Sequence, residues 1–238
     1  MSLIRWKENV LYLPHLADTD RPALAYVKGS RMGILLDCGN SAQHARLFMK
    51  ELLLAGENLP KLAILTHSHW DHSFGMSAMP CPVAACEKTA EKLETMCSWS
   101  WTVQAMEERL EAGEESLFSH RNIPKEYPDL SKIVVKSPDI LFEHTLTVDL
   151  GGERCIASTI LSPHETDCVI CYFPGNGMLF LGDSYCSVPV GEDWIYDKER
   201  LSVYIQTLES YPPGTFCIKG HHPPQLLWEL LEELRAEL

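Results

Sequence analysis

The chain has 238 residues, of which 45% are hydrophobic and 22% charged, the composition of an ordinary globular protein able to bury about three quarters of its unfolded surface. Its formal charge of −13 argues against nucleic acid as a partner, since a phosphate backbone is held by Lys and Arg and the longest basic cluster runs only from Lys132 to Lys136. No apolar run approaches the ~20 residues of a membrane-crossing helix, and the stretch Leu3-Ile4-Arg5-Trp6-Lys7 lacks the apolar core of an export signal, so a cytoplasmic location is expected.

In chain order, the first forty residues read as strands: Val10–Leu13, Ala23–Val27 and Gly33–Asp37. Asn40 or Ser41 can cap a helix whose apolar face runs Ala45, Phe48, Met49 and Leu52 and which stops at Gly56. Strands are expected at Leu62–Leu65 and Pro82–Ala85, with a polar helix from Glu87 to Met96. Residues 97–138 change texture, with Trp99, Trp101, an acidic amphipathic helix near 102–112 and a loop at 123–128, and read as a helical insertion. Strands return at 146–150, 154–160, 169–173 and 178–181, followed by a helix near 198–209, a strand at 215–219 and a final helix from 224. No linker or low-complexity tract divides the chain, so a single domain is expected over 1–238. The last helix carries Leu226, Leu227, Leu230, Leu231 and Leu234, which suit packing on its own sheet.

The nine cysteines form no framework and read as small buried hydrophobes. Cys168-Val169-Ile170-Cys171 is formally C-x-x-C, but in a strand these two positions face opposite ways.

Chemistry concentrates in Thr66-His67-Ser68-His69-Trp70-Asp71-His72, directly after the apolar run Leu62–Leu65. A strand ending there delivers His67 and His69 to one side at period two, and a turn swings Asp71 and His72 into the same cleft. Neutral imidazole and carboxylate suit zinc, iron or manganese. His164, Asp183 and His221 each follow a predicted strand end, where functional residues of layered folds sit.

With those residues in place, the chain resembles the metallo-β-lactamase-fold hydrolase superfamily. The matching segments are Thr66–His72, Ser162-Pro163-His164-Glu165-Thr166-Asp167, Leu181-Gly182-Asp183-Ser184 and Lys219-Gly220-His221-His222, with Leu35-Leu36-Asp37-Cys38-Gly39 as an earlier mark. A glycine is missing immediately before His164. The resemblance implies an α+β fold, a four-layer αββα sandwich, with two divalent metals, zinc first and iron or manganese next, at one edge of the sheets. It assigns His67, His69 and His164 to the first metal, Asp71, His72 and His221 to the second, and Asp183 as the bridge. Asp37 is expected to orient a ligand imidazole, the alternative being a cap on the next helix. His222 is expected beside the ligands without being one, and His15, His44, His120 and His144 as ordinary residues.

The implied activity is metal-dependent hydrolysis of an ester, lactone, thioester or phosphodiester in a small molecule by a metal-bridging hydroxide, with Asp71 as both ligand and hydrogen-bond acceptor for the nucleophile. No G-x-S-x-G segment offers a serine alternative. Asp183 in place of Cys or Ser argues against β-lactam cleavage, the scarcity of basic residues after His221 against a glutathione thioesterase, and Tyr185 two rather than three residues after Asp183 against a lactonase. The alternative on the same fold is a mononuclear iron oxygenase of the sulfur-dioxygenase type. Trp99, Trp101, Tyr127, Trp194 and Tyr196 are candidates for an aromatic wall over the metals. The sequence is silent on oligomeric state.

Overall fold

The computed structural model describes residues 2–238. Strands β1 (Ile4–Lys7), β2 (Val10–Leu13), β3 (Leu24–Lys28) and β4 (Gly33–Leu36) run antiparallel, and helix α1 (Ala42–Leu54) follows. Next come β5 (Leu62–Ile64), the single-turn helix α2 (Trp70–Ser73), β6 (Val83–Cys86) and α3 (Glu87–Cys97). Helices α4 (Val103–Ala112) and α5 (Leu117–Glu126) precede β7 (Ile140–Phe142). The chain continues through β8 (Thr145–Asp149), β9 (Arg154–Thr159), β10 (Val169–Phe173), β11 (Met178–Gly182), β12 (Val188–Val190) and β13 (Asp193–Ile195). It ends with α6 (Lys198–Leu208), β14 (Phe216–Lys219), β15 (Gln225–Leu226) and α7 (Leu227–Ala236).

Two sheets result, one of seven strands in the order β1 to β7 and one of six in the order β15-β14-β11-β10-β9-β8, with β12 and β13 as a separate hairpin. Period-two alternation explains how the sheets meet. Val10 and Tyr12, Ala25 and Val27, and Ile34 and Leu36 face inward against Val169, Cys171, Phe173, Met178, Phe180 and Ile218 of the second sheet. The intervening residues Leu11, Leu13, Leu24, Tyr26 and Leu35 face outward, where Phe48, Met49 and Leu52 of α1 and Leu93 of α3 cover them. The outer face of the second sheet, with Ile170, Leu179 and Leu181, lies under Leu201, Tyr204, Ile205 and Leu208 of α6 and Leu227, Leu230, Leu231 and Leu234 of α7. The layers are therefore αββα, as expected, and the final helix packs on its own sheet.

Residues 97–138 are helical, again as expected, and pack as a separate cluster in which Met106, Ile123, Tyr127 and Ile133 surround Trp70 and Phe74. The expected loop at 123–128 is instead largely the end of α5, with Pro124 inside the helix. The missing proline N–H falls within the last turn, and burial of Ile123 against Trp70 and Phe74 outweighs that one lost bond. β1, β7 and the β12–β13 hairpin were not foreseen, because their faces are mostly exposed and carry little apolar alternation.

Strand direction fixes where chemistry collects. β4, β5 and β6 run parallel. In the other sheet β9 and β11 each pair antiparallel with β10, and β14 pairs parallel with β11, so β9, β11 and β14 share one direction. The residues following β4, β5, β9, β11 and β14 therefore emerge at sheet ends facing one cleft.

Candidate metal centre

His67 and His69 leave the end of β5, and α2 turns Asp71 and His72 back over them. His164 lies in the loop after β9, Asp183 directly after β11, and His221 two residues after β14. The structure brings all seven together in two groups whose donor atoms lie within 4.8 Å of one another: His67, His69 and His164 in one, Asp71, His72, Asp183 and His221 in the other.

In the first group His164 Nε2 lies 3.0 Å from His69 Nδ1. In the second, His221 Nε2 lies 2.9 Å from Asp71 Oδ2 and 3.2 Å from Asp183 Oδ2. His72 Nε2 sits 3.0 Å from Asp71 Oδ2 and 3.4 Å from Asp183 Oδ1. Three of these inward atoms, His67 Nε2, His72 Nε2 and Asp183 Oδ1, are buried without a hydrogen-bond partner. Burying a polar atom unpaired costs about 1–3 kcal/mol, so orphans in both groups, one in the first and two in the second, match cations better than a packed core.

Each ring's other nitrogen has an outward partner. Asp37 Oδ2 accepts from His72 Nδ1 at 2.7 Å, while the same carboxylate accepts from the Thr66 backbone N–H at 2.7 Å and the Thr66 hydroxyl at 2.9 Å. Asp37 thus orients an imidazole; the cap on α1 is Ser41, whose hydroxyl accepts from His44 N–H. His67 Nδ1 meets Thr66 Oγ1 at 3.1 Å, and His164 Nδ1 meets the Ser187 carbonyl at 3.1 Å. His221 Nδ1 lies 3.5 Å from Asp20 Oδ1, and His69 Nε2 lies 3.4 Å from Glu165 Oε1.

Burial pushes the His67 imidazolium well below its ordinary range and takes His164 down to about 4, with neighbouring imidazoles adding to both shifts. These two rings are therefore neutral donors at physiological pH, the form a metal requires. Burial opposes ionisation of Asp71 and Asp183, but the adjacent His72 and His221 outweigh it and hold both carboxyls well below the usual range. Burial lowers His72 and His221 as well, yet their carboxylate neighbours prevail and raise both. A buried anionic cluster that draws positive charge this strongly suits a divalent cation. Asp20, buried beside Asp71, is pushed up to about 7.

Five of the seven, His69, Asp71, His164, Asp183 and His221, floor a cavity of about 660 Å³ whose walls include Phe118, Trp194 and Tyr196, together with His15, Asp20 and Lys125, while His67 and His72 lie wholly buried beneath it. Phe118 and Trp194 meet edge to face at 5.1 Å. Trp99 and Trp101 line an adjoining cleft of about 510 Å³ that reaches His69 from the other side. Tyr127 lies in the core of the insertion rather than over the metals, because α5 turns it toward Phe74. Cys186 lines the cavity but is not among the grouped donors.

A profile described as the metallo-beta-lactamase superfamily matches residues 19–235. This chain belongs to the metallo-beta-lactamase superfamily. Among solved structures it is similar to a metallo-beta-lactamase from Pontibacter korlensis, at 20% identity and a TM-score of 0.65, covering 98% of each chain. It is similar to the BLEG-1 B3 metallo-beta-lactamase, at 15% identity and a TM-score of 0.65, over 94% of this chain and 96% of that one. The stereoselective inverting sec-alkylsulfatase Pisa1 from Pseudomonas sp. aligns with a TM-score of 0.70 at 15% identity over 98% of this chain but 41% of its own. At these identities the likeness establishes the fold alone. A search of curated protein sequences gives no match.

Members of this superfamily typically bind divalent metals, and the donor set here fits them: five imidazoles, two carboxylates and three buried atoms without other partners. Around that set, Asp20, Glu165, Lys125 and His15 went unnoticed in the sequence as site residues. Only Glu165, adjacent to His164, carried a positional hint. His222 is exposed, with Nδ1 2.7 Å from the buried Tyr185 hydroxyl. His44 is wholly buried in α1 with neither nitrogen bonded.

Proposed function

We propose that this protein is a binuclear metal-dependent hydrolase, zinc being the first candidate, that cleaves an ester, lactone, thioester or phosphodiester bond in a small molecule. The observation that carries the reading is the pair of donor groups at the cavity floor, with three orphaned atoms aimed inward. His67, His69 and His164 would hold one cation and Asp71, His72 and His221 the other, with Asp183 between them. Bound there, two cations would polarise the scissile carbonyl or phosphoryl oxygen and bring the pKa of a shared water from 15.7 to about 7.

The chain's own groups do the rest. Asp71 Oδ2, which accepts from His221 in the structure, would take a hydrogen bond from the attacking water. Phe118, Trp194 and Tyr196 would seat an apolar portion of the substrate. Lys125, whose ammonium donates to Asn122 Oδ1 at 2.8 Å, offers a cation to an anionic substituent. A cavity of about 660 Å³ fits a drug-sized molecule rather than a polymer, in keeping with the formal charge of −13. The donors come from positions 67 to 221, which supports treating the chain as one working domain.

His69→Ala and Asp183→Ala should each remove metal and hydrolysis together, read by elemental analysis and by a panel of p-nitrophenyl esters, phosphodiesters, lactones and thioesters assayed with defined metals. Full activity in a metal-free preparation of either variant overturns the proposal. A single iron per chain favours the oxygenase instead.

A further inference from the structure

We propose that Glu165, braced by Lys92, is the positioning residue for His69, so that a bracket on α3 sets the metal affinity of the first group of ligands. The inference rests on the reading of His67, His69 and His164 as a cation site. Of those three rings, His69 is the least enclosed, with 33% of its side chain exposed, and it ends the Thr66–His69 segment where the chain turns into α2. An imidazole in that position can rotate, and its tautomer is open unless something outside the site fixes it.

Glu165 is the group in place to do so. His69 directs Nδ1 toward His164 Nε2 at 3.0 Å, and its opposite nitrogen, Nε2, faces Glu165 Oε1 at 3.4 Å. A carboxylate there keeps the proton on Nε2 and leaves the Nδ1 lone pair pointing inward, as carboxylate partners of metal-bound histidines do. The pairing is of the same kind as Asp37 on His72 in the second group, at 3.4 Å where that hydrogen bond is 2.7 Å. Because Glu165 follows His164 directly, one loop supplies both a ligand and the brace for another ligand.

The brace is itself anchored. Lys92 Nζ donates to Glu165 Oε2 at 2.6 Å and to Asp167 Oδ1 at 2.7 Å. Asp167, buried at 1% exposure, accepts from the Ser68 backbone N–H at 2.9 Å and from the Thr89 hydroxyl at 3.0 Å. Thr89 and Lys92 are three apart and so share a face of α3. That face therefore holds the loop carrying His164 and Glu165 directly and, through Asp167, the segment carrying His67 and His69. A half-exposed Lys–Glu pair acting alone would contribute little; this one is tied through a buried aspartate to both ligand loops.

The test strips and reloads the purified full chain with Zn(II) or Co(II) and measures both metal equivalents against a chromophoric chelator, with thermal unfolding as the check on folding. Glu165→Ala should weaken one equivalent about 10- to 100-fold and alter the Co(II) absorption of that site, leaving the other equivalent unchanged. Glu165→Gln, which keeps the volume and an acceptor oxygen, should recover part of the loss, and Lys92→Met should show a smaller loss at the same site. Two equivalents bound by the wild type with unchanged affinities in Glu165→Ala overturn the inference alone, as does an equal loss at both sites accompanied by a lowered Tm. A wild-type chain that takes up no metal overturns the hydrolase reading and this inference with it.

Discussion

His72 and Asp37 are joined by a 2.7 Å hydrogen bond between two fully buried side chains, one on α2 and the other at the end of β4. Asp37 holds a positive φ of 60°, a conformation tolerated better by Asp and Asn than by most residues, and its carboxylate also ties down Thr66. Asp37→Asn preserves size and backbone preference but can present an amide N–H to His72 Nδ1, pushing the ring's proton onto Nε2, the atom that faces Asp71 and Asp183. Affinity for the second metal should fall about 10- to 100-fold. Chelator competition measures it, and an Asn variant with wild-type affinity shows that the tautomer is set elsewhere.

Backbone geometry beside Asp183 is equally exacting. A Cβ built on Gly220 would collide with Asp183 Oδ1, and Gly220 N–H is held to the Gly182 carbonyl at 2.8 Å, so the segment cannot retreat. Gly220→Ala should therefore displace the proposed bridging carboxylate and reduce metal content toward one equivalent per chain, while far-UV circular dichroism stays native. Two full equivalents in this variant would place Asp183 outside the bridge.

The proposed ligands were legible in the sequence because each is an imidazole or carboxylate within a few residues of a strand end, and strands that share a direction deliver such positions to one edge. The two sheets were legible for a related reason: runs such as Val10–Leu13 and Gly33–Leu36 are apolar on both faces, which demands cover on each. What escaped notice lacked any such period. Lys92 is one of several charges on a polar helix, and nothing in its spacing says that it points at Glu165 and Asp167 across 73 and 75 positions. Pro189 and the polar turn at Gly191-Glu192 disguised the β12–β13 hairpin, and Pro124 disguised the end of α5.

His44 supplies a pH dependence. Burial, reinforced by Arg21, lowers its imidazolium to about 3 from an ordinary 6.5, and both ring nitrogens are unpartnered. Between those values the unfolded chain binds a proton at this residue and the folded chain does not. Stability should thus fall as the pH drops from about 6.5 toward 3, with a slope approaching ~1.4 kcal/mol per pH unit, and this contribution should level off below. Urea midpoints at pH 7 and pH 5 measure it: His44→Gln should show a smaller loss than the wild type, and equal losses would remove His44 as a cause.

Phe48 tests the outer layer. It is fully buried between α1 and the seven-stranded sheet, among Leu11, Leu35 and Leu52. Phe48→Ala removes a ring that no neighbour can replace without shifting a strand, and should destabilise the protein by about 3–5 kcal/mol. The proposed metal donors hang from strand ends and from α2 rather than from α1, so a variant that still folds at low temperature should keep its metal affinity. Loss of metal at full foldedness would mean that the helical layer positions the site directly.

The cavity wall sets the last expectation. Lys125 reaches the cavity from α5, is held by the buried Asn122, and makes no ion pair among the described residues. A substrate carrying a carboxylate or phosphate away from its scissile bond would meet attraction at Lys125. Lys125→Met keeps the aliphatic stem and removes the charge. For such a substrate KM should rise roughly fivefold, the effect of about 1 kcal/mol expected of an exposed cation, with kcat unchanged, while neutral esters of similar size should be unaffected. Equal KM values for charged and neutral substrates in both proteins would show that Lys125 does not read charge, leaving Phe118, Trp194 and Tyr196 to select by shape.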